Sequence, residues 1–242
     1  MTGATRGLGR LVAQGAALKG ARVVLACRDP ARGAEARSAV AAAAAAAGIE
    51  PPPPELLVLD LASLASVRRA AEEARARFPR IDVLVNNAGT FSRSYSETED
   101  GFETAMATNY LGPYLFTRLL LPSMAPGGRI VNLSSEAYPW GRASLGKPAR
   151  GGVWSGFMNY AASKRAILQF TLALAAREAR RGPGGLRVNA LHPGVVRTEI
   201  MRMRTWYGFV VDLILAPSLA VVAPARVEAL WEESSRLVGL EP

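Results

Sequence analysis

The sequence has one cysteine, Cys27, and one histidine, His192, among its 242 residues. A lone cysteine excludes an internal disulfide framework and a zinc site that uses several cysteines. A lone histidine argues against a histidine-based metal centre and against a Ser-His-Asp triad. We therefore predict no metal site, and any catalysis must depend on other side chains.

Lysine is also scarce, because only Lys19, Lys147 and Lys164 are lysines among the 29 basic residues. With 20 acidic residues the formal charge is +9, which would suit nucleic acid, an anionic membrane surface or a phosphorylated ligand. The arginines are scattered, however, and several lie four residues from an acidic residue, as on a solvated helix face. These pairs are Arg68–Glu72, Arg69–Glu73 and Glu73–Arg77. No basic-aromatic pattern accompanies them, so we predict no nucleic-acid partner.

No long hydrophobic run is present. The most apolar stretch, 206–222, contains Asp212 and Pro217 and falls short of the roughly 20 apolar residues of a membrane span. Two interpretations stay open for it: a buried helix, or an amphipathic or substrate-facing segment that touches a membrane surface. A glycine motif opens the sequence without a charged and apolar leader, so no signal peptide is expected.

The composition, 50% hydrophobic and 20% charged, is that of a globular chain. Short apolar runs alternate with helical patterns, which predicts a parallel sheet covered on both faces. The predicted strands are 22–26, 56–59, 82–85, 129–133 and 186–191, and the predicted helices are 8–19, 64–78, 102–124 and 160–180. An alanine-rich run, 40–47, ends a further helix that the prolines at 51–54 stop. We predict one α/β domain over 1–242, a Rossmann-type doubly wound parallel sheet that binds ligands at the carboxyl edge.

The segment 2–9, TGATRGLG, is a glycine-rich turn that opens a helix. Gly3 and Gly7 permit unusual backbone angles and close approach, and Gly9 lets helix and sheet pack tightly. The amides at the start of the helix would then face a pyrophosphate. Taken alone, the same segment is equally well read as a plain turn.

Two arginines bear on which dinucleotide would bind. Arg28 follows the strand 22–26 at the distance where a dinucleotide site contacts the adenosine ribose, and Arg6 lies beside Gly7. Two guanidinium groups there favour a 2′-phosphate, hence NADP over NAD, whereas Asp29 argues for NAD. Either arginine is alternatively an ordinary surface charge.

A second constellation is Tyr160 and Lys164, four residues apart on one side of a predicted helix. A nearby ammonium stabilises tyrosinate, so such a tyrosine can act as acid or base. Ser134 and Ser135 follow the strand 129–133 at the carboxyl edge, where a hydroxyl could donate to a substrate carbonyl. By themselves, the tyrosine-lysine pair is usually structural and the serine pair is usually a turn or a helix cap.

In this order and spacing the motifs resemble the short-chain dehydrogenase/reductase family, most closely its retinol dehydrogenase branch. The resemblance rests on the glycine motif, the pair Asp60-Leu61, which resembles the adenine-contacting pair of the family, the Asn-Asn-Ala-Gly run 86–89, and the loop 193–198. It implies four catalytic residues: Asn109, Ser135, Tyr160 and Lys164. It also implies cofactor contacts from Gly3, Arg6, Gly7, Leu8, Gly9, Arg28, Asp60, Leu61, Asn86, Ala88, Gly89, Tyr160, Lys164, Pro193, Gly194, Val196 and Thr198.

The family resemblance also implies a chemistry. A lipophilic alcohol and its carbonyl, retinoid-like or steroid-like, would be interconverted by hydride transfer with nicotinamide. Tyr160 would exchange the proton, Lys164 would lower the pKa of that tyrosine, and Ser135 would hydrogen-bond the reacting oxygen. Asn109 would anchor a water that connects Lys164 to solvent. A homodimer and a peripheral membrane contact are compatible with the family, and the compartment is left open.

Two departures from the family pattern are expected to affect the fold. Only Met1 precedes Thr2, so the first strand of the family is expected to be absent, and a late strand after 194 as well. The sheet would then be incomplete at its first and last strands, with unpaired edges. An alternative function follows from this: a non-catalytic nucleotide-binding or interaction protein on a truncated scaffold.

Overall fold

The computed structural model describes residues 1–142, 145, 148–151, 154–193 and 224–241. Parallel strands alternate with helices throughout. The strands are β1 (Val24–Cys27), β2 (Glu55–Val58), β3 (Ile81–Asn86), β4 (Met124–Leu133) and β5 (Arg187–Leu191). The helices are α1 (Gly7–Ala17), α2 (Pro30–Ala46), α3 (Leu64–Arg77), α4 (Thr104–Met106), α5 (Gly112–Leu120), α6 (Ser155–Arg180) and α7 (Pro224–Leu237). The α/β class predicted from the alternation is thereby confirmed.

The strands form two parallel ladders, β2-β1 and β3-β4-β5. Met1 and Thr2 lie between the two ladders. Thr2 forms a parallel bridge with Ala26 of β1, and its amide donates a hydrogen bond to the carbonyl of Val85 in β3, at 2.9 Å. The two ladders therefore meet through two residues, and the carboxyl ends of all five strands face the same edge. Among the described residues, β5 is the outer strand of its ladder.

Helices cover both faces of the sheet, as alternate residues of one strand show. Leu25 packs into a core beneath α1 and α2, whereas its neighbour Ala26 packs into the larger core beneath α3, α5 and α6. Side chains alternate across a strand, so one apolar run serves both cores. This is the doubly wound arrangement.

Several boundaries differ from the predictions. The predicted helix 102–124 is divided, because a π-helical turn (Ala107–Leu111) joins α4 to α5 and a 3₁₀ turn (Leu121–Ser123) ends the run. Strand β4 begins five residues earlier than predicted, at Met124, and pairs irregularly with β3. Helix α6 also begins five residues early, at Ser155. A pattern of apolar residues reports periodicity, and it does not register such changes of hydrogen-bonding type.

Two of the predicted surface interactions can be compared with the structure. Glu73 and Arg77 form the expected ion pair on α3. Arg68, predicted to pair with Glu72, donates instead to the carbonyl of Val238 and, at 3.4 Å, to that of Gly239, just after α7. An arginine fork satisfies the free carbonyls at the end of a helix, and it connects α7 to α3 here.

None of the helices in the described part of the chain combines the length and apolarity of a membrane span.

Candidate active site

The glycine motif and the Asn-Asn-Ala-Gly run are joined by hydrogen bonds at the carboxyl edge. The Thr2 hydroxyl oxygen accepts from the amides of Asn87 (3.1 Å) and Ala88 (3.0 Å). The Asn87 amide group donates to the carbonyls of Thr2 and Gly3, both at 3.0 Å. A Cβ on Gly9 would lie 2.3 Å from the Gly3 carbonyl oxygen, so only glycine fits there. The two motifs position each other.

The start of α1 leaves room for a ligand. Gly7 opens this helix with φ +53°, and a Cβ there would meet no atom within 4 Å. The first amides of a helix have no partner within the helix and attract anions. A Cβ on Gly89 would lie 3.4 Å from both Asn109 Oδ1 and Lys164 Nζ, so a side chain would intrude between the loop and these groups. These residues fit a dinucleotide that runs from Gly7 past Gly89.

The acidic residue that argued against NADP has another role. Asp29 accepts from the amides of Ala31 (2.9 Å) and Arg32 (3.2 Å), so it caps α2. The Arg32 guanidinium lies 3.4 Å from the same carboxylate. Arg28 and Arg6 are both exposed at the carboxyl edge of β1. The signal for this cap, an aspartate directly before a proline at the start of a helix, is present in the sequence.

The pair predicted to contact adenine follows β2. The Asp60 carboxylate accepts from the amide of Ala62 at 2.9 Å, and the Asp60 backbone amide donates to the Ser66 hydroxyl oxygen at 3.0 Å. Leu61 is buried, and a Cβ on Gly112 would lie only 2.3 Å from the Leu61 carbonyl oxygen. The pair is thus fixed at the edge of the sheet by turn and packing contacts, and its contact with adenine stays a prediction.

The predicted catalytic residues come together around α6. Tyr160 and Lys164 lie one turn apart on this helix, and the Lys164 ammonium is 5.7 Å from the centre of the Tyr160 ring. The Ser135 hydroxyl, on the loop after β4, hydrogen-bonds the Tyr160 hydroxyl. Lys164 Nζ donates to the carbonyl of Leu133 at 2.8 Å. A hydroxyl donor, a phenol and an ammonium group therefore share one corner of the sheet.

Burial dominates the acid-base properties of this corner. Burial raises the pKa of Tyr160, and the hydrogen bond from Ser135 lowers it by a smaller amount. Burial also lowers the pKa of Lys164 to about 8, because the ammonium loses water. The sequence predicted that Lys164 lowers the pKa of the tyrosine. In the structure burial outweighs any such effect, since Lys164 lies beside the ring and is bonded to Leu133.

Asn109 lies in the π-helical turn and holds three segments together. Its Oδ1 accepts from the amide of Thr90 at 2.7 Å, and its Nδ2 donates to the Thr90 carbonyl (2.9 Å) and to the Ser163 hydroxyl (3.0 Å). Both amide hydrogens are therefore used, and a water could only donate to the remaining lone pair of Oδ1. No pattern in the sequence indicates the partners Thr90 and Ser163. π-helical turns often occur at functional sites.

Asn86 faces away from this site. Its Nδ2 donates to the Thr117 hydroxyl (2.9 Å) and to Asn132 Oδ1 (2.8 Å), and Asn132 in turn donates to the Thr171 hydroxyl (2.9 Å). This buried polar ladder connects α5, β3, β4 and α6. The side chain of Asn86 thus belongs to the sheet interior, and its predicted cofactor contact, which stays a prediction, would have to come from the backbone.

The remaining predicted cofactor loop is described only in part. Pro193 is exposed just after β5, at the carboxyl edge. Gly194, Val196 and Thr198, together with the apolar segment 199–223, lie outside the described residues.

Comparison with known proteins decides the family. The model of the short chain dehydrogenase family matches residues 1–206. The chain belongs to the short-chain dehydrogenase family. It is 44% identical to human retinol dehydrogenase 14 over 214 residues, and this alignment covers 84% of this chain and 62% of that relative. The chain thus spans less than two thirds of the length of this curated relative.

Solved structures agree with the family assignment. A crystal structure of an uncharacterized protein from Mycobacterium paratuberculosis aligns with a TM-score of 0.77 and 30% identity over 99% of this chain and 92% of that one. A blue fluorescent protein from a metagenomic library, in complex with NADPH, aligns with a TM-score of 0.65 and 30% identity, over 88% of this chain and 80% of that one. The resemblance to the short-chain dehydrogenase family predicted from the motifs is confirmed.

Proposed function

We propose that this chain is an NADP-dependent oxidoreductase that interconverts a lipophilic alcohol and its carbonyl, retinoid-like or steroid-like. The observation that carries the proposal is the grouping of Ser135, Tyr160 and Lys164 beside Gly89, next to the glycine cradle. We extend the proposal to one NADP-binding domain over 1–242, with 199–223 as an apolar substrate lid. Membrane contact and a homodimer stay predictions.

A nicotinamide cofactor would lie along the carboxyl edge, where it supplies or accepts the hydride. The amides after Gly7 would face its pyrophosphate, and Arg6 and Arg28 would bind its 2′-phosphate by charge-assisted hydrogen bonds. Support for NADP over NAD comes from Asp29, whose carboxylate is used to cap α2. Further support comes from the relative that was solved with NADPH.

Tyr160 exchanges the proton with the substrate. In reduction its hydroxyl donates to the carbonyl oxygen, and in oxidation the tyrosinate accepts the proton of the alcohol. Burial opposes tyrosinate, so its neighbours must stabilise it when the proton leaves. Ser135 does so by donating to the phenolic oxygen, and it can turn the same hydroxyl to the reacting oxygen of the substrate.

Lys164 supplies the charge and helps to replace the proton. With a pKa of about 8 its ammonium is mostly protonated at neutral pH, so it favours tyrosinate electrostatically. Asn109 Oδ1 faces the same side of Gly89 as Lys164 Nζ. A water between these two atoms carries the proton to the lysine, which fits the single lone pair left on Asn109.

The test is NADPH consumption by the purified chain with retinaldehyde as substrate. Tyr160→Phe should reduce the rate by about 100-fold or more, the usual contribution of a general acid. Tyr95→Phe is the matched control, because Tyr95 contacts Glu97 and Arg150 on the surface. Turnover that survives Tyr160→Phe would contradict the mechanism. NADPH binding without any turnover would favour the alternative, a non-catalytic nucleotide-binding protein.

A further inference from the structure

Four aromatic side chains without a role in the proposed chemistry form a cluster around the start of α6, and one of them contacts Tyr160. We call Phe91, Trp140, Trp154 and Phe157 the aromatic wall. The Phe91 ring stands edge-on to Tyr160, with ring centres 5.5 Å apart and planes at 78°. The centre of the Phe157 ring lies 6.2 Å from the ring centre of Trp140 and 6.2 Å from that of Trp154. The wall therefore extends from the proposed proton donor to the start of α6.

Three segments must approach closely to form the aromatic wall, and two glycines permit it. A Cβ on Gly141 would lie 2.2 Å from the Ala161 carbonyl oxygen, so the turn that carries Trp140 rests directly on the α6 backbone. A Cβ on Gly156 would lie 2.0 Å from the Ser92 carbonyl oxygen, which brings the segment after Phe91 against the same helix. Neither contact would tolerate a side chain, so both loops are fixed in position.

Packing against the core leaves part of the aromatic wall accessible to solvent. Phe91, Trp140 and Phe157 are only partly buried, against the buried Ala137, Tyr160 and Ala161. Trp154 is 63% exposed, whereas the core residue Trp231 is 4% exposed. Trp154 lies directly before α6, and Trp154, Phe157 and Tyr160 recur every three residues, so each neighbouring pair lies on adjoining faces at the start of the helix. The chain thus leaves a tryptophan and part of a phenylalanine uncovered in the same aromatic cluster as Tyr160.

We propose that Trp154 and Phe157 determine specificity, selecting apolar carbonyl compounds with a planar aromatic or conjugated system over puckered, saturated ones. Aromatic rings prefer either an offset-stacked or an edge-to-face arrangement, and a flat ligand can adopt both against the wall. A saturated ring of the same size buries similar apolar area but offers no flat face. This inference rests on the proposed function, and it chooses between the flat and the puckered substrates that the proposed function allows.

The test compares 2-naphthaldehyde with decahydronaphthalene-2-carbaldehyde, which share one carbon skeleton. Binding of each to the full chain is measured by titration calorimetry, and kcat/KM is measured with NADPH. The unmodified protein should prefer the planar aldehyde by about threefold to tenfold in both quantities. Trp154→Leu and Phe157→Leu keep an apolar side chain and should bring the ratio close to one. Trp154→Leu changes an exposed residue, so it leaves the fold intact.

Leu172→Ala is the control, because Leu172 lies on α6 outside the aromatic wall and is 46% exposed. It should leave the ratio unchanged. A ratio that stays the same in both wall variants, or a protein without preference, overturns the proposal even if turnover is normal. A preference in binding that the wall variants abolish supports the proposal even if no aldehyde is reduced, and in that case only the proposed function fails.

Discussion

The cores on the two faces of the sheet are built in opposite ways. The core beneath α3, α5 and α6, which we call the catalytic half, is filled by large side chains, among them Tyr114, Phe170 and Trp231. The core beneath α1 and α2, which we call the glycine half because the glycine motif opens α1, consists mostly of alanines, with Val23, Leu25 and Val40 as its larger members. Large side chains stabilise through the area they bury, whereas small ones allow backbones to approach.

The polar contacts of the two halves differ in part. In the catalytic half some buried side chains bond to one another, as between Asn86 and Asn132. Around the glycine motif the bonds go to the backbone, as from Asn87 to Thr2 and Gly3. We conclude that the large buried side chains of the catalytic half are sensitive to the removal of atoms and that the glycine motif is sensitive to their addition.

Trp231→Ala should have the largest effect on stability. Trp231 stacks on Phe170, and the guanidinium groups of Arg177 and Arg118 lie 3.8 Å and 4.6 Å from its ring centre. Removing a buried tryptophan costs about 3–5 kcal/mol in the free energy of unfolding, measured by chemical denaturation. Val40→Ala is the matched deletion in the other core and should cost about 2 kcal/mol or less, since it removes two methyl groups. Equal losses would contradict the comparison.

Lys164 should make stability depend on pH. Burial lowers its pKa from 10.5 to about 8, so the unfolded chain binds this proton more tightly. The free energy of unfolding should therefore fall as the pH is lowered through this window, by on the order of 3 kcal/mol, and the whole penalty applies below pH 8.

Lys164→Met removes this titration together with the proposed catalytic ammonium. The difference in unfolding free energy between the variant and the unmodified protein should change by the same amount between pH 7.5 and 10, on the order of 3 kcal/mol. Lys19→Met removes an exposed lysine and controls for the loss of one charge. A difference that does not vary with pH would show that Lys164 gains enough from its contacts to offset burial.

Arg28→Asp tests the exposed side of the glycine half. If this guanidinium binds the 2′-phosphate, NADPH binding should weaken by about 1.5–3 kcal/mol, the range for a hydrogen bond to a charged group. NADH binding should change little or improve. Arg37→Asp makes the same change of charge at an exposed position on α2 and controls for the general field. Equal losses for both cofactors would mean that Arg28 supports the fold instead.

The sequence predicted the alternation of strands and helices because apolar runs of the β and helical periods are local signals. It also placed Ser135 at the carboxyl edge, since parallel strands end together, and the family resemblance joined Tyr160 and Lys164 to it. It could not reveal that Asn86 and Asn132 pair, because that depends on the register between β3 and β4. Nor could it place Phe91 against Tyr160, a contact between segments distant in sequence.

Two features were missed although the sequence contained a signal. Asp29 was weighed only as a contact to the ribose, yet the aspartate-proline pair marks the start of α2. Phe157 lies on α6 and Trp154 directly before it, at three-residue steps from Tyr160, but the start of α6 was predicted too late to reveal this spacing. Both errors come from reading helices through their apolar centres and not through their ends.

The smallest expected effect distinguishes two glycines of α1. A Cβ at position 9 would lie 2.3 Å from the Gly3 carbonyl oxygen and 2.5 Å from Asn87 Nδ2, whereas a Cβ at position 15 would meet no atom within 4 Å. Gly9→Ala should therefore cost about 1–3 kcal/mol through overpacking, and Gly15→Ala should stabilise by about 0.5–1 kcal/mol through helix propensity. The first should also weaken NADPH binding, because Gly3 and Asn87 must move, and the second should not. Effects of the same sign in denaturation would show that the glycine half is not limited by close backbone contact.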